Sequence, residues 1–312
     1  LPEVNEETPS YVEFITGPGG VIDTWLRRGA AGFRLDVADE LPDEFIEKVR
    51  AAVKRVGPEK FLLGEVWEDA TTKFGFNKRR TYLLGKGLDS MMNYPFKNAV
   101  LDFVKGKPAE QAMTEILTIC EHYPAPAMDT ALNFLSTHDT ERALTVIADE
   151  PANGRGRAWQ SGRCVTGDAY EEGLLRLRMA YAIIYTLPGV PCLYYGDEIA
   201  MQGYRDPFNR AFFRWDAHEQ RLRPVLAQLA QLRHTCEAFR TGQLRVLRAE
   251  DGILHYQRVG KVETAEIIVN RTEHIIVETL ASGKSTEVNP MGFTIVVEEV
   301  GHNPDHSYYD YV

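Results

Sequence analysis

The chain shows two hydrophobic patterns, and the first extends over roughly the first 235 residues. Short apolar runs alternate there with amphipathic helical stretches, which is typical of βαβ units and predicts a parallel sheet. Strands are predicted over residues 32–36, 61–65, 88–93, 131–136 and 191–195. Helices are predicted over 9–28 with a break near 17–20, and over 41–55, 109–122, 170–187 and 222–239. This alternation favours an α/β fold.

The second pattern begins after the last predicted helix, where apolar and polar residues alternate with a period of two. Strands are predicted over 244–247, 253–258, 266–270, 274–280 and 294–300, separated by Gly, Asn and Asp. Such alternation is typical of an antiparallel sheet with one covered face. We therefore expect an α/β part over 1–240, an all-β carboxy-terminal domain over 241–302 and a tail over 303–312.

Composition narrows the classes of partner. The chain has 35 Lys and Arg against 45 Asp and Glu, a formal charge of -10, and no basic run suited to a phosphate backbone. Nucleic acid and membrane surfaces are therefore not expected as partners. No apolar stretch is long enough to predict a membrane-spanning helix. The four cysteines are isolated in sequence, which favours ordinary thiols and a cytoplasmic location.

Three acidic residues lie at the ends of predicted strands, two as the last strand residue and one shortly after a strand. They are Asp36 in GFRLDVADE, Glu65 in FLLGEVWED and Asp139 in NFLSTHDTER. Side chains that carry out chemistry in parallel α/β barrels lie at the carboxyl ends of the strands. A charge at the end of an apolar strand is also costly to desolvate unless the site uses it. These acids are therefore the candidate catalytic groups.

Their spacing suits the cleavage of a glycosidic bond with retention of configuration. Asp36 and Glu65 are separated by one predicted strand–helix–strand unit, so their carboxyl groups are expected to be neighbours. One carboxylate would attack the anomeric carbon and the other would protonate the leaving oxygen. Arg34, two residues before Asp36, points to the same face and would keep Asp36 ionised. His138 beside Asp139 offers a donor and an acceptor for sugar hydroxyls.

These segments resemble the α-amylase family, glycoside hydrolase family 13, and within it the neopullulanase, cyclomaltodextrinase and α-glycosidase group. GFRLDVADE, GEVW and FLSTHD are similar to three conserved regions of that family, and MNYPF and LPGVPCLYYGDE are similar to two further segments. The resemblance implies a partial (β/α)8 TIM barrel, comprising strands four to eight, followed by a small antiparallel β-sandwich domain.

The resemblance also implies roles for individual residues. The catalytic residues would be the nucleophile Asp36, the general acid/base Glu65 and the third carboxylate Asp139. Arg34 and His138 would support them. In the segment DPFNR, Asp206 and Arg210 would hydrogen-bond a glucose unit of the substrate.

Three further residues have two possible interpretations each. Glu40 is either a subsite residue on the leaving-group side or a solvated carboxylate at a helix start. Trp67 and Tyr94 either stack on sugar faces or pack at the rim of the site. All three are retained as candidate substrate-binding residues.

The family's first conserved region and its strands one to three are not found in this chain. We therefore expect the missing amino-terminal half of the barrel to be supplied as a second chain, or by pairing in a homodimer. No cofactor is expected to be required for the chemistry and no metal ligands are identified. A structural calcium is compatible with the full-length protein.

The leading interpretation is a hydrolase of α-1,4 glucosidic bonds, with action on α-1,6 bonds left open, and with α-glucan oligosaccharides such as maltooligosaccharide, cyclodextrin or pullulan as its substrates. A transglycosylase of the same family differs only in which acceptor resolves the intermediate, so the sequence does not separate the two. A catalytically inactive sugar-binding or scaffold fragment is the alternative from a different class.

Overall fold

The computed structural model describes residues 4–299 and the backbone of Ser307–Tyr311. The chain forms two compact units. Unit 1 comprises Leu1–Pro95 and Thr118–Leu132, and unit 2 comprises Phe96–Leu117 and Asn133–Val312. The predicted tail over 303–312 lies outside the described residues, except for the backbone of Ser307–Tyr311, which forms a strand.

The elements up to residue 133 are mostly short strands and longer helices. The helices are α1 (Pro9–Thr16), α2 (Val21–Arg27), α3 (Asp43–Val56), α4 (Tyr94–Lys105), α5 (Ala109–His122) and α6 (Ala125–Asp129), with a 3-10 turn over Ala38–Glu40. The strands are β1 (Gly32–Leu35), β2 (Phe61–Gly64), β3 (Phe74–Gly75), β4 (Lys78–Arg79), β5 (Ser90–Met91) and β6 (Leu132–Asn133).

The later elements change from helix to strand along the chain. The helices are α7 (Ala143–Ala148), α8 (Arg157–Ser161), α9 (Gly167–Thr186), α10 (Leu222–Thr235) and α11 (Ala238–Thr241), with 3-10 turns over Asp197–Ile199 and Phe208–Arg210. The strands are β7 (Val190–Pro191), β8 (Gln243–Glu250), β9 (Ile253–Val259), β10 (Glu263–Asn270), β11 (Ile276–Thr279), β12 (Ser285–Val288), β13 (Gly292–Glu299) and β14 (Ser307–Tyr311).

In unit 1 the predicted parallel sheet is confirmed. Strands β1 and β2 pair in parallel from Gly32↔Phe61 to Leu35↔Gly64, and β2 pairs in parallel with β5. The strand order β1-β2-β5 follows the chain, with helix α3 between β1 and β2 and the β3–β4 hairpin between β2 and β5. The carboxyl ends of β1 and β2 therefore lie side by side.

Helix α3 connects β1 to β2 and shows why the sequence folds locally in this way. Pro42 precedes the helix, and acidic residues in its first turn and basic residues in its last turn suit the helix dipole.

Asp89 links this helix to the sheet. Arg50 and Lys54 on the helix both bind Asp89, at 2.6 and 2.8 Å, and the Leu62 amide donates to the same carboxylate at 2.8 Å. Burial alone raises the pKa of Asp89, but these donors outweigh it and leave the pKa lowered. Asp89 thus ties α3 to β2 through charge.

The structure also corrects the prediction in places. Helix α4 was not predicted, although Phe96, Val100, Phe103 and Val104 form one fully buried helical face. Its sequence signals are the helical spacing of these four apolar residues and Pro95 in the first helical turn. The strands predicted over 131–136 and 191–195 are reduced to two residues each, β6 and β7.

In unit 2 the predicted antiparallel strands are confirmed. They form a five-stranded sheet in the order β14-β13-β10-β9-β8, and β11 pairs with β12 in a separate hairpin. Ile268, Leu280, Val288 and Val296 form a buried apolar cluster with Ile276 packed against it. The hairpin therefore covers part of one face of the sheet with apolar contacts.

A buried polar cluster lies in the same part of unit 2. The ring nitrogens of His255 face two carboxylates, with Nε2 at 2.6 Å from Glu266 and Nδ1 at 3.2 Å from Glu278. Arg248 binds Glu278, and Gln257 donates to Glu266 at 2.9 Å. Burial by itself would raise the pKa of Glu266. The hydrogen bonds from His255, Gln257 and the Ala281 amide have the larger, opposite effect, so the pKa lies below its ordinary value.

Three global features complete the description. Within residues 4–299, no helix is long and apolar enough to cross a membrane. None of the four cysteines forms a disulfide. Among the side chains described, no group of three or more His, Cys, Asp or Glu is arranged to hold a metal ion.

We predict that Glu266→Gln lowers the free energy of unfolding by about 1–3 kcal/mol near neutral pH, because it weakens a buried charge-assisted hydrogen bond. Since the folded-state pKa is depressed, the contribution of Glu266 is present above its ordinary value of 4.5 and is lost as the pH falls through the folded-state value. Urea unfolding across this range should show the two proteins converging. Glu287→Gln, at an exposed position on β12, is the control. A constant difference at all pH values would contradict the assignment.

Candidate active site

The register of β1 and β2 places the two acids of unit 1 at adjacent strand ends. Leu35 pairs with Gly64, so Asp36 and Glu65 each follow the last paired residue of a strand. The Glu65 amide donates to the Leu35 carbonyl at 3.1 Å, and the Ala38 amide donates to the Glu65 carbonyl at 3.0 Å. The backbone of both acids is therefore held by continuation of the parallel ladder.

A single arginine contacts both carboxylates. Arg34 binds Asp36 Oδ1 through Nη1, and its Nη2 lies 2.8 Å from Glu65 Oε2. The contact with Asp36 is the one expected from the two-residue spacing along a strand. One planar guanidinium therefore lies between the two carboxylates and contacts both.

The two acids differ strongly in exposure. The side chain of Asp36 is 73% exposed, whereas that of Glu65 is 5% exposed. The expectation that both acids are desolvated at their strand ends is therefore wrong for Asp36, which leaves the sheet and faces outward. Only Glu65 carries the cost of burial.

Hydrogen-bond donors surround Glu65. The Val37 amide donates to Oε2 at 2.9 Å, Trp67 Nε1 donates to Oε1 at 3.0 Å, and the Tyr94 hydroxyl donates to Oε1 at 3.4 Å. Together with Arg34, these groups satisfy both carboxylate oxygens of a nearly buried side chain. Such a shell fixes the orientation of the carboxyl group.

The two aromatic candidates of unit 1 have different roles. The rings of Trp67 and Tyr94 stack with centroids 4.6 Å apart and an interplanar angle of 14°. Trp67 is 47% exposed and Tyr94 is 2% exposed, so only Trp67 presents a ring face to solvent. Of the two interpretations given for Tyr94, the structure favours packing, since its ring stacks on Trp67 and its hydroxyl donates to Glu65. Glu40 is exposed in the 3-10 turn that follows Asp36.

Unit 2 carries the second group of candidate residues. His138 Nε2 lies 3.0 Å from Asp139 Oδ2, and Arg210 Nη2 lies 3.2 Å from Asp139 Oδ1. Arg210 Nε also donates to the His138 carbonyl at 2.9 Å and lies 3.4 Å from Asp206. The structure thus brings together the four candidates of this unit: Asp139, His138, Arg210 and Asp206.

Asn209 supports this group and was missed by the sequence analysis. Its side chain is fully buried, and Nδ2 donates to the carbonyls of His138 and Thr140, each at 2.8 Å. The segment around Asp139 has no strand partner for these carbonyls, so a side chain satisfies them. The sequence feature that points to Asn209 is its position in DPFNR, between the candidate residues Asp206 and Arg210.

A buried ion pair follows the same segment. Arg142 is fully buried, donates to the Tyr195 carbonyl at 2.6 Å and binds Asp197 at 3.0 Å. Tyr181 donates to the other carboxylate oxygen at 2.7 Å. Burial raises the pKa of Asp197, against the opposing effect of these donors. Arg142 thus joins the chain after Asp139 to the turn after β7.

With this geometry established, similarity to known proteins identifies the family. The alpha-amylase catalytic domain matches residues 1–241, so the chain belongs to the alpha-amylase family. Such a domain implies a TIM-barrel-type fold, here with a carboxy-terminal β-sheet domain.

Three similar proteins illustrate the match. The cyclomaltodextrinase of Geobacillus thermopakistaniensis strain MAS1 is 31% identical over 279 residues, which is 87% of this chain and 42% of that protein. Neopullulanase 2 of Thermoactinomyces vulgaris is 30% identical over 295 residues, 92% of this chain and 44% of that protein. The solved structure of a Nostoc punctiforme debranching enzyme is 26% identical with a TM-score of 0.78, covering 95% of this chain and 63% of that one. The chain thus spans less than half the length of the first two.

We predict that Asn209→Asp destabilises the protein by about 3 kcal/mol, because it places a charged acceptor against buried carbonyl groups in place of a donor. Denaturant unfolding measures the loss, and amide hydrogen exchange should quicken around residues 138–140. Asn98→Asp makes the same chemical change at an exposed position and should have little effect. Equal stability of the two variants would show that the Asn209 contacts contribute little.

Proposed function

We propose that the chain carries a retaining α-glucan glycosidase site in which Asp36 is the nucleophile and Glu65 the general acid/base. The observation that carries the proposal is the contact of Arg34 with both carboxylates. A retaining enzyme requires its two carboxyl groups roughly 5 Å apart, and the contact of both with one guanidinium supports a close approach. An inverting pair would need a wider gap to admit water.

The difference in exposure supports the division of roles. Asp36 is exposed and paired with Arg34, so an ionised carboxylate is free to reach an anomeric carbon. Glu65 is nearly buried and its orientation is fixed by several donors, which suits repeated proton transfer along one direction.

The reaction then has two steps. In the first, Asp36 attacks the anomeric carbon and forms a glycosyl ester while the glycosidic bond breaks, and Glu65 gives its proton to the leaving oxygen. In the second, Glu65 takes a proton from water, the resulting hydroxide attacks the same carbon, and Asp36 is released as a carboxylate. Two inversions at one carbon give net retention. An acceptor sugar in place of water would give transglycosylation.

The remaining candidates are proposed to bind the α-glucan. Asp139 serves as the third essential carboxylate of the reaction, with Arg210 and His138 in contact with it. Trp67 supplies an exposed aromatic face for a sugar ring, and Glu40 a carboxylate for sugar hydroxyls. Asp206 contributes through its contact with Arg210.

We further propose that the parallel strands are the fourth to eighth strands of a (β/α)8 barrel. The sequential order β1-β2-β5 and the parallel bridge between Met92 and Leu132 support this assignment. Maltooligosaccharide, cyclodextrin and pullulan are the proposed substrates, because the similar proteins bear the names cyclomaltodextrinase and neopullulanase.

We predict that Asp36→Ala and Glu65→Ala each reduce turnover of an activated α-glucosyl fluoride or aryl maltooligosaccharide, and that azide rescues them differently. Azide should replace Asp36 and give a product of inverted configuration, because one displacement is lost. With Glu65→Ala, azide should replace the second-step water and give a product of retained configuration. Proton NMR of the anomeric signal distinguishes the products.

Glu287→Ala, on the exposed surface of β12, is the control and should behave as the unmodified chain. Initial release of the inverted anomer by the unmodified protein would overturn the retaining assignment. Full activity of either alanine variant without azide would overturn the role of that residue.

A further inference from the structure

The turn that follows Asp36 is irregular backbone in unit 1. Val37 has a φ of 45°, a left-handed conformation that is unfavourable for a β-branched residue, and the 3-10 turn Ala38–Glu40 follows it. Glu65 holds the start of this turn through two hydrogen bonds. Its side-chain carboxylate accepts one from the Val37 amide, and its backbone carbonyl accepts one from the Ala38 amide. The far end of the turn needs separate support.

Arg80 supplies that support from a different part of the chain. Its side chain is completely buried. Nε donates to Asp43 at 2.7 Å, Nη1 donates to the Asp39 carbonyl at 2.7 Å, and Nη2 donates to the Leu41 carbonyl. One guanidinium therefore satisfies two carbonyls of the turn and one carboxylate of the helix that follows it.

Aromatic rings hold the arginine in place. Its guanidinium carbon lies 4.4 Å from the ring centroid of Tyr82 and 5.2 Å from that of Phe76. Phe76 and Asn77 form the turn of the β3–β4 hairpin with φ values of 50° and 58°. Positive φ is costly for a bulky aromatic residue, and the ring contact with Arg80 helps to maintain it.

Two lysines from the same segment add charge complementarity. Lys73 Nζ lies 3.0 Å from Asp39 and Lys78 Nζ lies 3.4 Å from Asp43. The segment that carries Arg80 is thus basic where it meets the acidic turn. A buried arginine is costly unless its donors are used, and here its contacts converge on one short stretch of backbone.

We propose that Arg80 is a positioning residue that holds the turn from Asp36 to Glu40 in the geometry required for turnover. The inference rests on the proposed function. Arg80 acts through the backbone of the turn and touches neither Asp36 nor Glu65 in the contacts described. Its loss would release the far end of the turn and with it the Glu40 carboxylate.

We predict that Arg80→Met lowers kcat/KM for maltooligosaccharide about 10- to 100-fold, since small displacements of reacting groups have effects of this size. The rate is expressed per intact site, counted by trapping with a 2-fluoro glycosyl fluoride. We expect the loss mainly in kcat, because the positioning of Asp36 is disturbed, with a smaller rise in KM. Arg79→Met is the matched control, since Arg79 is exposed and donates to the Thr71 carbonyl.

Amide hydrogen exchange provides a readout that does not depend on activity. Exchange at Val37 to Leu41 should quicken in Arg80→Met but not in Arg79→Met, while the amides of β2 are unchanged. If exchange quickens locally but the unmodified chain cleaves no α-glucan even with the amino-terminal half of the barrel supplied, the proposed function fails and the Arg80 contacts stand. If the unmodified chain is active and Arg80→Met matches the control in kcat, KM and exchange, the positioning role is overturned.

Conservative variants keep the inference testable should Arg80→Met fail to fold. Arg80→Lys can replace only part of the contact set, so it should recover part of kcat. Asp43→Asn weakens the contact between Arg80 and Asp43 without changing the arginine. It should lower kcat and quicken exchange as Arg80→Met does, but by a smaller amount. Wild-type kcat and exchange in both of these variants would also overturn the proposal.

Discussion

The site of unit 1 depends on one arginine that contacts two carboxylates. Two neighbouring acids repel each other when both are ionised, and the positive charge of Arg34 offsets that repulsion for Asp36 and Glu65. The parallel register of β1 and β2 makes the contact possible, because it ends both strands at the same level. Removing the arginine would leave Asp36 and Glu65 without the one cation that both contact. The division into an exposed and a buried acid depends on this arrangement.

Irregular backbone next to the candidate residues is stabilised by side chains in both units. Arg80 donates to carbonyls after Asp36, and Asn209 donates to carbonyls on both sides of Asp139. Loops have no ladder partners, so their polar groups need donors from elsewhere or from water. Buried donors order the loop, whereas water would leave it mobile. In both cases the supporting side chain is fully or almost fully buried.

Sequence reasoning succeeded where local physics decides the outcome. Helix α5 was predicted with its observed ends, and the contact of Arg34 with Asp36 followed from the two-residue period of a strand. It failed where burial depends on distant packing. The sequence left Tyr94 open between stacking on a sugar and packing at the rim, whereas in the structure its ring is buried against Trp67. Helix α4 is a different kind of miss, because the helical spacing of Phe96, Val100 and Phe103 along its buried face was already present in the sequence.

The sequence by itself determined the order of strands and helices, the acids at the strand ends and the resemblance to the α-amylase family, because these depend on residue type and short-range spacing. Only the tertiary structure decided which acid is exposed, that one guanidinium serves both, and that Arg80 and Asn209 hold the adjoining turns. Those contacts join residues far apart in the chain. Their formation depends on how the chain packs, which no local pattern of residues encodes.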